Sequence, residues 1–401
     1  MLKSQGPFSV FSSTITNITT VLVAAFVVLP IVLPNVSCTK KSGNSENEIL
    51  VGEFGSMTGN DATFGQSTSE GIKLAFAEQN ERGGVKGKKL RLITLDNQGK
   101  SDEARAVVQR LITQDRVVAV LGEVASSRSL AAAPVAQQYK VPLITPSSTN
   151  PKVTEIGDFV FRVCFIDSFQ GYVMAKFARE EIKKSRVAVL RDVKSDYSTE
   201  LADVFIREFK KMGGEIVGDE SYQAGETDFK AQLTQLRSKK PDAIFVPGYY
   251  TEVGLIARQT RQLGMNIPLL GGDGWDSEKL SEIGQSAING SYFSTHYTTE
   301  SSEPHVVEFI NKYRQTYKGK TPDGLAALGY DAAKVLIAAM ERTTEITSQN
   351  IRDELAKTVD FPGITGVITI DEHRNAKKRA SIVQVDGKTT RFVKAISPED
   401  K

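Results

Sequence analysis

From residue 49 onward, short apolar runs closed by turn residues alternate with amphipathic segments, and this alternation restricts the fold more than any other property of the chain. A strand that is apolar along its whole length must be covered on both faces, which a parallel sheet achieves by carrying helices on each side. The class is therefore α/β, and the plan occurs twice. In the first half, strands are expected at 49–53, 90–95, 117–121 and 141–144. The helices between them include 69–80, with Ile72, Ala75 and Phe76 on one face, and a second with Ala104, Val107, Val108, Leu111 and Ile112 on its stripe. The second half repeats the plan with helices at 169–181, 199–212 and 229–238 and strands at 187–190, 215–218 and 243–246. Even short strings recur, since Val141, Pro142, Leu143, Ile144 is echoed by Ile267, Pro268, Leu269, Leu270. Two doubly wound parallel-sheet lobes are expected.

Ahead of this region, residues 21–33 form an unbroken apolar run, shorter than the roughly 20 residues a membrane span requires. The run is followed by Ser37 and Cys38, and residues 1–37 resemble a bacterial lipoprotein signal with Cys38 as the lipidated residue. Ordinary cleavage, or retention of the run as an anchor with Cys38 inert, are the competing readings; all three put the folded part outside the cytoplasm. Residues 38–48 are polar, rich in Lys, Ser, Asn and Gly, and read as a flexible tether. After Cys38 only Cys164 remains, so no intrachain disulfide is available, and Cys164 reads as a small buried hydrophobe. His296, His305 and His373 lack metal-ligand spacing and are assigned no chemistry.

The 50 basic and 48 acidic residues nearly cancel, which argues against nucleic acid or an anionic membrane surface as partner and favours a small molecule or another protein. Cofactor signals are missing: Gly52, Gly55 and Gly59 do not make a dinucleotide fingerprint, and no phosphate loop appears. Ser126 has no histidine nearby to act as its base, so no enzyme, cofactor or metal is expected.

In open α/β sheets ligands bind beyond the carboxyl ends of the strands. Four loops qualify: 123–129, 146–150, 248–252 and 271–276, two from each half. Ser126, Ser127 and Ser129 open a helical stretch, and Ser147, Ser148 and Thr149 follow the 141–144 strand. Hydroxyls beside free amides at a helix amino terminus suit a carboxylate; caps and turn formers are the alternative reading. On the other half Asp273 stands in Gly271, Gly272, Asp273, Gly274, Trp275, where a carboxylate can meet an ammonium, or serve as a turn residue. An anion site facing a cation site suggests a zwitterion.

The chain resembles the periplasmic leucine, isoleucine and valine binding proteins of branched-chain amino acid ABC transporters. The resemblance is carried by Gly55, Ser56, Met57, Thr58, Gly59; by Asn80, Glu81, Arg82, Gly83, Gly84, Val85, Lys86, Gly87; by Thr149, Asn150, Pro151; and by Gly248, Tyr249, Tyr250, Thr251, Glu252, in that order. It implies a type I periplasmic binding fold with a three-crossing hinge near Asp167, His296 and Gly366. Lobe 1 would then span 49–166 with 297–365, and lobe 2 would span 167–296 with 366–401. It implies that Ser126 and Thr149 bind the ligand carboxylate with the Ser148 backbone, with Ser127 alongside. Asp273 and one of Tyr249 or Tyr250 would face the ammonium, and Phe64 and Tyr197 would line the walls. The partners implied are an amino acid and a transporter permease, with a lipid anchor to the membrane. The alternatives are the same fold holding an amide, urea or aromatic acid, or serving as a ligand sensor.

Overall fold

The computed structural model describes residues 47–398. The expected signal segment, Cys38 and all of the expected tether except 47–48 lie outside them, and Glu48 already belongs to the first strand. The first half reads β1 (Glu48–Gly55), α1 (Ala62–Glu81), β2 (Lys89–Asp96), α2 (Ser101–Thr113), β3 (Ala119–Leu121), α3 (Ser126–Tyr139), β4 (Leu143–Thr145), α4 (Lys152–Glu155) and β5 (Val160–Arg162). Its strands form one parallel sheet in the order β2-β1-β3-β4-β5. The second half supplies α5 (Asp167–Lys176), β6 (Arg186–Asp192), α6 (Asp196–Lys211), β7 (Glu215–Tyr222), α7 (Lys230–Ser238), β8 (Ala243–Phe245), α8 (Tyr250–Gln262), β9 (Leu269–Gly271), α9 (Glu278–Gly284) and β10 (Tyr292–Thr295). Its parallel strands take the same relative order, β7-β6-β8-β9-β10.

The chain then returns to the first lobe with α10 (Pro304–Thr316), α11 (Gly324–Arg342) and α12 (Ser348–Leu355), followed by the hairpin β11 (Phe361–Gly363) and β12 (Gly366–Ile368). It ends with β13 (Ala380–Asp386) and β14 (Thr389–Ile396), an antiparallel pair that extends the second sheet past β10. Gly366, where the third crossing was expected, is inside the hairpin. The amides of Ile364 and Thr365 in its turn donate to Asp331 of α11, at 2.7 and 2.9 Å, which fastens the hairpin to the first lobe. The chain joins the larger sheet only at Ala380.

Alternation along β1 shows how the first lobe is layered. Ile49 and Val51 join the apolar layer that includes residues of α1 and α11, whereas Leu50 and Phe54 join the layer under α2 and α3. Helices α1 and α11 approach so closely that a Cβ on Gly71 would lie 1.9 Å from the Ala326 carbonyl oxygen, and one on Gly329 would lie 2.3 Å from that of Thr68. Helix α1 starts seven residues earlier than the apolar periodicity suggests, which brings buried Phe64 onto its first turns. The expected 169–181 helix begins at Asp167 and widens into a π-type turn over Phe177–Glu181.

Candidate ligand-binding site

The four loops following β3, β4, β8 and β9 meet between the lobes, as strand polarity requires. The seam is closed by hydrogen bonds. Asp196 N donates to Ser127 Oγ at 3.0 Å, Asn150 Nδ2 to Asp196 O at 2.9 Å, and Tyr250 Oη to Asn60 O at 2.8 Å. Thr63 and Ser277 share a hydroxyl contact of 2.9 Å. Within this seam a narrow cavity, of about the size of one water molecule, is lined by Val124, Ser147, Tyr197, Tyr249, Asp273 and Gly274.

On the first lobe, Ser126 is the first residue of α3 and its Oγ accepts from Asn150 N at 3.2 Å, which ties the two hydroxyl-bearing loops together. Ser148 is fully buried, and its Oγ donates toward the Glu123 and Val124 carbonyls at 2.9 and 3.0 Å. The Thr149 hydroxyl is buried beside the Asp167 carboxyl without a hydrogen bond of good geometry to it. Beneath these loops Glu123 Oε1 accepts from Ser56 Oγ at 2.7 Å, Asn97 Nδ2 at 2.9 Å and Arg128 Nη1 at 3.3 Å, while Arg128 also pairs with Asp61. Burial alone would depress the Arg128 guanidinium, but the Glu123 and Asp61 carboxylates outweigh it and raise its pKa. This buried ionic cluster fixes the start of α3 against the loop before α1.

On the second lobe, Asp273 opens a short 3-10 turn after β9 and is 5% exposed. Its Oδ1 accepts from Gln170 Nε2 at 3.0 Å and its Oδ2 from His296 Nε2 at 3.0 Å; Ser147 Oγ reaches Oδ2 from the other lobe at 3.5 Å. Gln170 Oε1 in turn accepts from the Asp273 amide at 2.8 Å. Trp275, the only tryptophan in the chain, is fully buried in the same turn, and its Nε1 donates to Val246 O at 2.9 Å. Gly271 makes room for that indole, since a Cβ there would fall 2.0 Å from the ring.

The walls are aromatic. Tyr197, from α6, stacks on Tyr249 with ring centroids 5.4 Å apart and planes 7° apart, and its Oη accepts from Gly274 N at 3.2 Å. Phe64 meets Tyr249 and Tyr250 edge-on at 5.3 and 5.0 Å. Burial pushes the phenols of Tyr197 and Tyr249 well above their usual range, so both stay neutral.

Of the residues singled out by sequence, Tyr197, Tyr249 and Asp273 line the inner cavity. Ser126, Ser148, Thr149 and Phe64 are buried and do not line it. Ser127 and Tyr250 are occupied in lobe-to-lobe hydrogen bonds, and Ser127 and Tyr249 border a larger outer cavity that also meets Asp61, Arg128, Lys194 and Glu252. His296 and Gln170 were not anticipated at the site, because no local pattern marks a residue that meets Asp273 across 23 or 103 positions of chain. Among the described residues no group of three or more His, Cys, Asp or Glu could hold a metal ion, and no helix is long and apolar enough to cross a membrane.

Comparison with known proteins agrees with this architecture. The chain is 31% identical to an amino acid binding protein of Pseudomonas aeruginosa, over 73% of this chain and 78% of that protein. It is 29% identical to the leucine-, isoleucine-, valine-, threonine- and alanine-binding protein of the same organism, over 82% and 87% of the two chains. Among solved structures, a leucine binding protein of Thermotoga maritima matches with a TM-score of 0.85 and 42% identity, over 88% of this chain and all of that one. The branched-chain amino acid substrate binding protein of Streptococcus pneumoniae in complex with isoleucine matches with a TM-score of 0.83 and 34% identity, over the same shares. The model of the periplasmic binding protein family matches residues 48–390, and with two doubly wound lobes closing on one cleft, this chain belongs to that family.

Proposed function

We propose that this chain is the extracytoplasmic solute-binding component of an ABC transporter and carries a branched-chain or other aliphatic amino acid between its lobes. The observation that carries the reading is the pairing of Asp273 on one lobe with hydroxyls and helix-end amides on the other, across a cavity walled by Val124, Tyr197 and Tyr249. In this reading the ligand carboxylate meets the hydroxyl-bearing loops of Ser126 and Thr149, where the Ser148 amide, held by Thr145 Oγ1 at 2.9 Å in this form, would have to turn to the ligand; the ammonium meets Asp273 and Tyr249. The names of the relatives in Pseudomonas, Thermotoga and Streptococcus support the ligand class. An acid without an amine brings a second negative charge into the cleft and leaves Asp273 with neutral hydrogen-bond donors but no counter-charge, which disfavours its binding. No reaction step is assigned: His296 Nε2 is engaged with Asp273, and its buried Nδ1 meets no hydroxyl that it could activate.

The lobes divide, in this reading, at 163–166, near His296 and at 377–379, and rotation there opens the cleft to admit ligand. The permease then distinguishes loaded from empty protein by shape. Lipidation of Cys38 would hold the assembly at a membrane, and the intact mass of the mature protein isolated from membranes reads it directly.

Calorimetry with L-leucine, L-isoleucine and L-valine beside 4-methylpentanoate and benzoate tests the ligand class. The amino acids bind and the amine-free acids do not; the reverse pattern refutes the reading. Asp273→Asn keeps shape and removes charge, and loses about 2 to 5 kcal/mol of amino acid binding. Unchanged affinity would make Asp273 a turn residue.

A further inference from the structure

His296 follows β10 at the second passage between the lobes, and its side chain is 1% exposed. It stacks on Phe165 with centroids 3.7 Å apart and planes 22° apart, and Phe165 belongs to the first passage, 163–166. The third passage is bound to the first as well, because the Lys378 ammonium donates to Val163 O at 3.1 Å. From this junction His296 Nε2 reaches Asp273 Oδ2 at 3.0 Å, while Nδ1 is buried without a partner.

That arrangement has a specific electrostatic consequence. A buried carboxylate needs donors, and an arginine or lysine would supply them together with a positive charge that competes with a ligand ammonium. A neutral imidazole supplies the donor alone. Burial keeps the His296 imidazole below its usual pKa, with the Lys378 ammonium adding to the effect, and the Asp273 and Asp331 carboxylates opposing it only in part. Gln170, the other donor to Asp273, is also uncharged. The carboxylate is therefore oriented on both oxygens, and its negative charge stays available to the ligand.

We propose that His296 is the positioning residue of the ammonium site: as a neutral donor it aims Asp273 into the cleft without cancelling its charge, and its stack on Phe165 anchors that aim to the hinge. The proposal rests on the reading of Asp273 as the ammonium partner. Acid should then act in one direction. Protonated His296 pairs with Asp273 as a cation, and a bound ammonium disfavours that state, so affinity is level at neutral and alkaline pH and falls as pH drops through the pKa of His296 in the empty protein. The charged groups around the ring are Asp273, Lys378 and Asp331, with the buried carboxyl of Asp167 beside Asp273.

Calorimetry with L-leucine from pH 5 to 8 on wild type, His296→Phe, His296→Gln and Asp273→Asn tests this. His296→Phe keeps an aromatic ring for the stack and removes the donor, and should weaken binding about tenfold or more, the usual worth of a hydrogen bond to a charged group. His296→Gln restores a neutral donor, so it binds within about threefold of wild type at pH 7.5 and loses the acid branch. Wild-type affinity in His296→Phe overturns the proposal, and so does an acid branch that survives in His296→Gln, an outcome that stands even if the Phe variant does not fold. If Asp273→Asn binds as wild type does, the ammonium site itself is wrong and the positioning role falls with it. If Asp273→Asn loses binding while His296→Phe does not, only the positioning role fails.

Discussion

Asp276→Asn should make the protein increasingly resistant to unfolding, relative to wild type, as pH rises from 5 to 8. Asp276 follows the Asp273 turn on the second lobe, and its Oδ2 accepts from Thr295 Oγ1 at 2.5 Å and, across the seam, from Gly324 N at 3.2 Å. Burial, and then the Asp323 carboxylate, push its carboxyl up from 3.8 to about 7. A raised carboxyl favours the folded state fully below the unfolded value near 3.8 and loses that contribution as pH rises through about 7. Between pH 5 and 8 the loss amounts to at most about 2.5 kcal/mol, and to about 1 kcal/mol if the edge that Asp276 shows to the adjoining groove screens half of it. Asparagine keeps an acceptor for Thr295 and Gly324 and carries no charge beside Asp323, so it avoids the alkaline penalty. Urea unfolding of both proteins at pH 5, 6, 7 and 8 reads the difference. It should grow in favour of the variant with pH, and a difference that stays constant from pH 5 to 8 would refute the reasoning.

Two further outcomes are expected. Gly71→Ala pushes a methyl into the Ala326 carbonyl oxygen, 1.9 Å from the ideal Cβ, so α1 and α11 must separate; urea unfolding should show a loss of about 1 to 3 kcal/mol or more, and a neutral change would mean the helices slide apart freely. Saturating L-leucine should shift the population of open and closed forms toward the seam described here, lowering the radius of gyration in solution scattering, whereas identical curves would remove closure from the mechanism.

The parts of the fold legible in sequence are those where burial leaves a continuous apolar signature. Ala119–Leu121 and Ala243–Phe245 are central strands buried on both faces, and they read as strands because nothing polar is tolerated there. Strand β7 was seen only up to Gly218, since Asp219, Glu220 and Ser221 continue it at a sheet edge where Arg191 pairs with Asp219. The β13–β14 pair went unread because β14 is largely exposed and carries little apolar pattern. At the candidate site, the position of Ser126, Thr149 and Asp273 in loops that follow strand ends was legible in sequence. Their supports were not: Gln170 and His296 reach Asp273 only because α5 and the end of β10 pack beside the β9 loop, a relation set by tertiary structure rather than by spacing.

The placement of Trp275 gives the molecule a built-in optical probe. With one indole in the chain, intrinsic emission excited at the red edge comes from a single ring, two residues from Asp273 and sealed from solvent. Its N–H is held by the Val246 carbonyl at the end of the neighbouring strand, so the ring reports on the β8 and β9 loops together. Emission from the closed state should be blue and poorly quenched by acrylamide, and any opening that lets water reach the Asp273 turn should register as a red shift, without a label and in stopped-flow time.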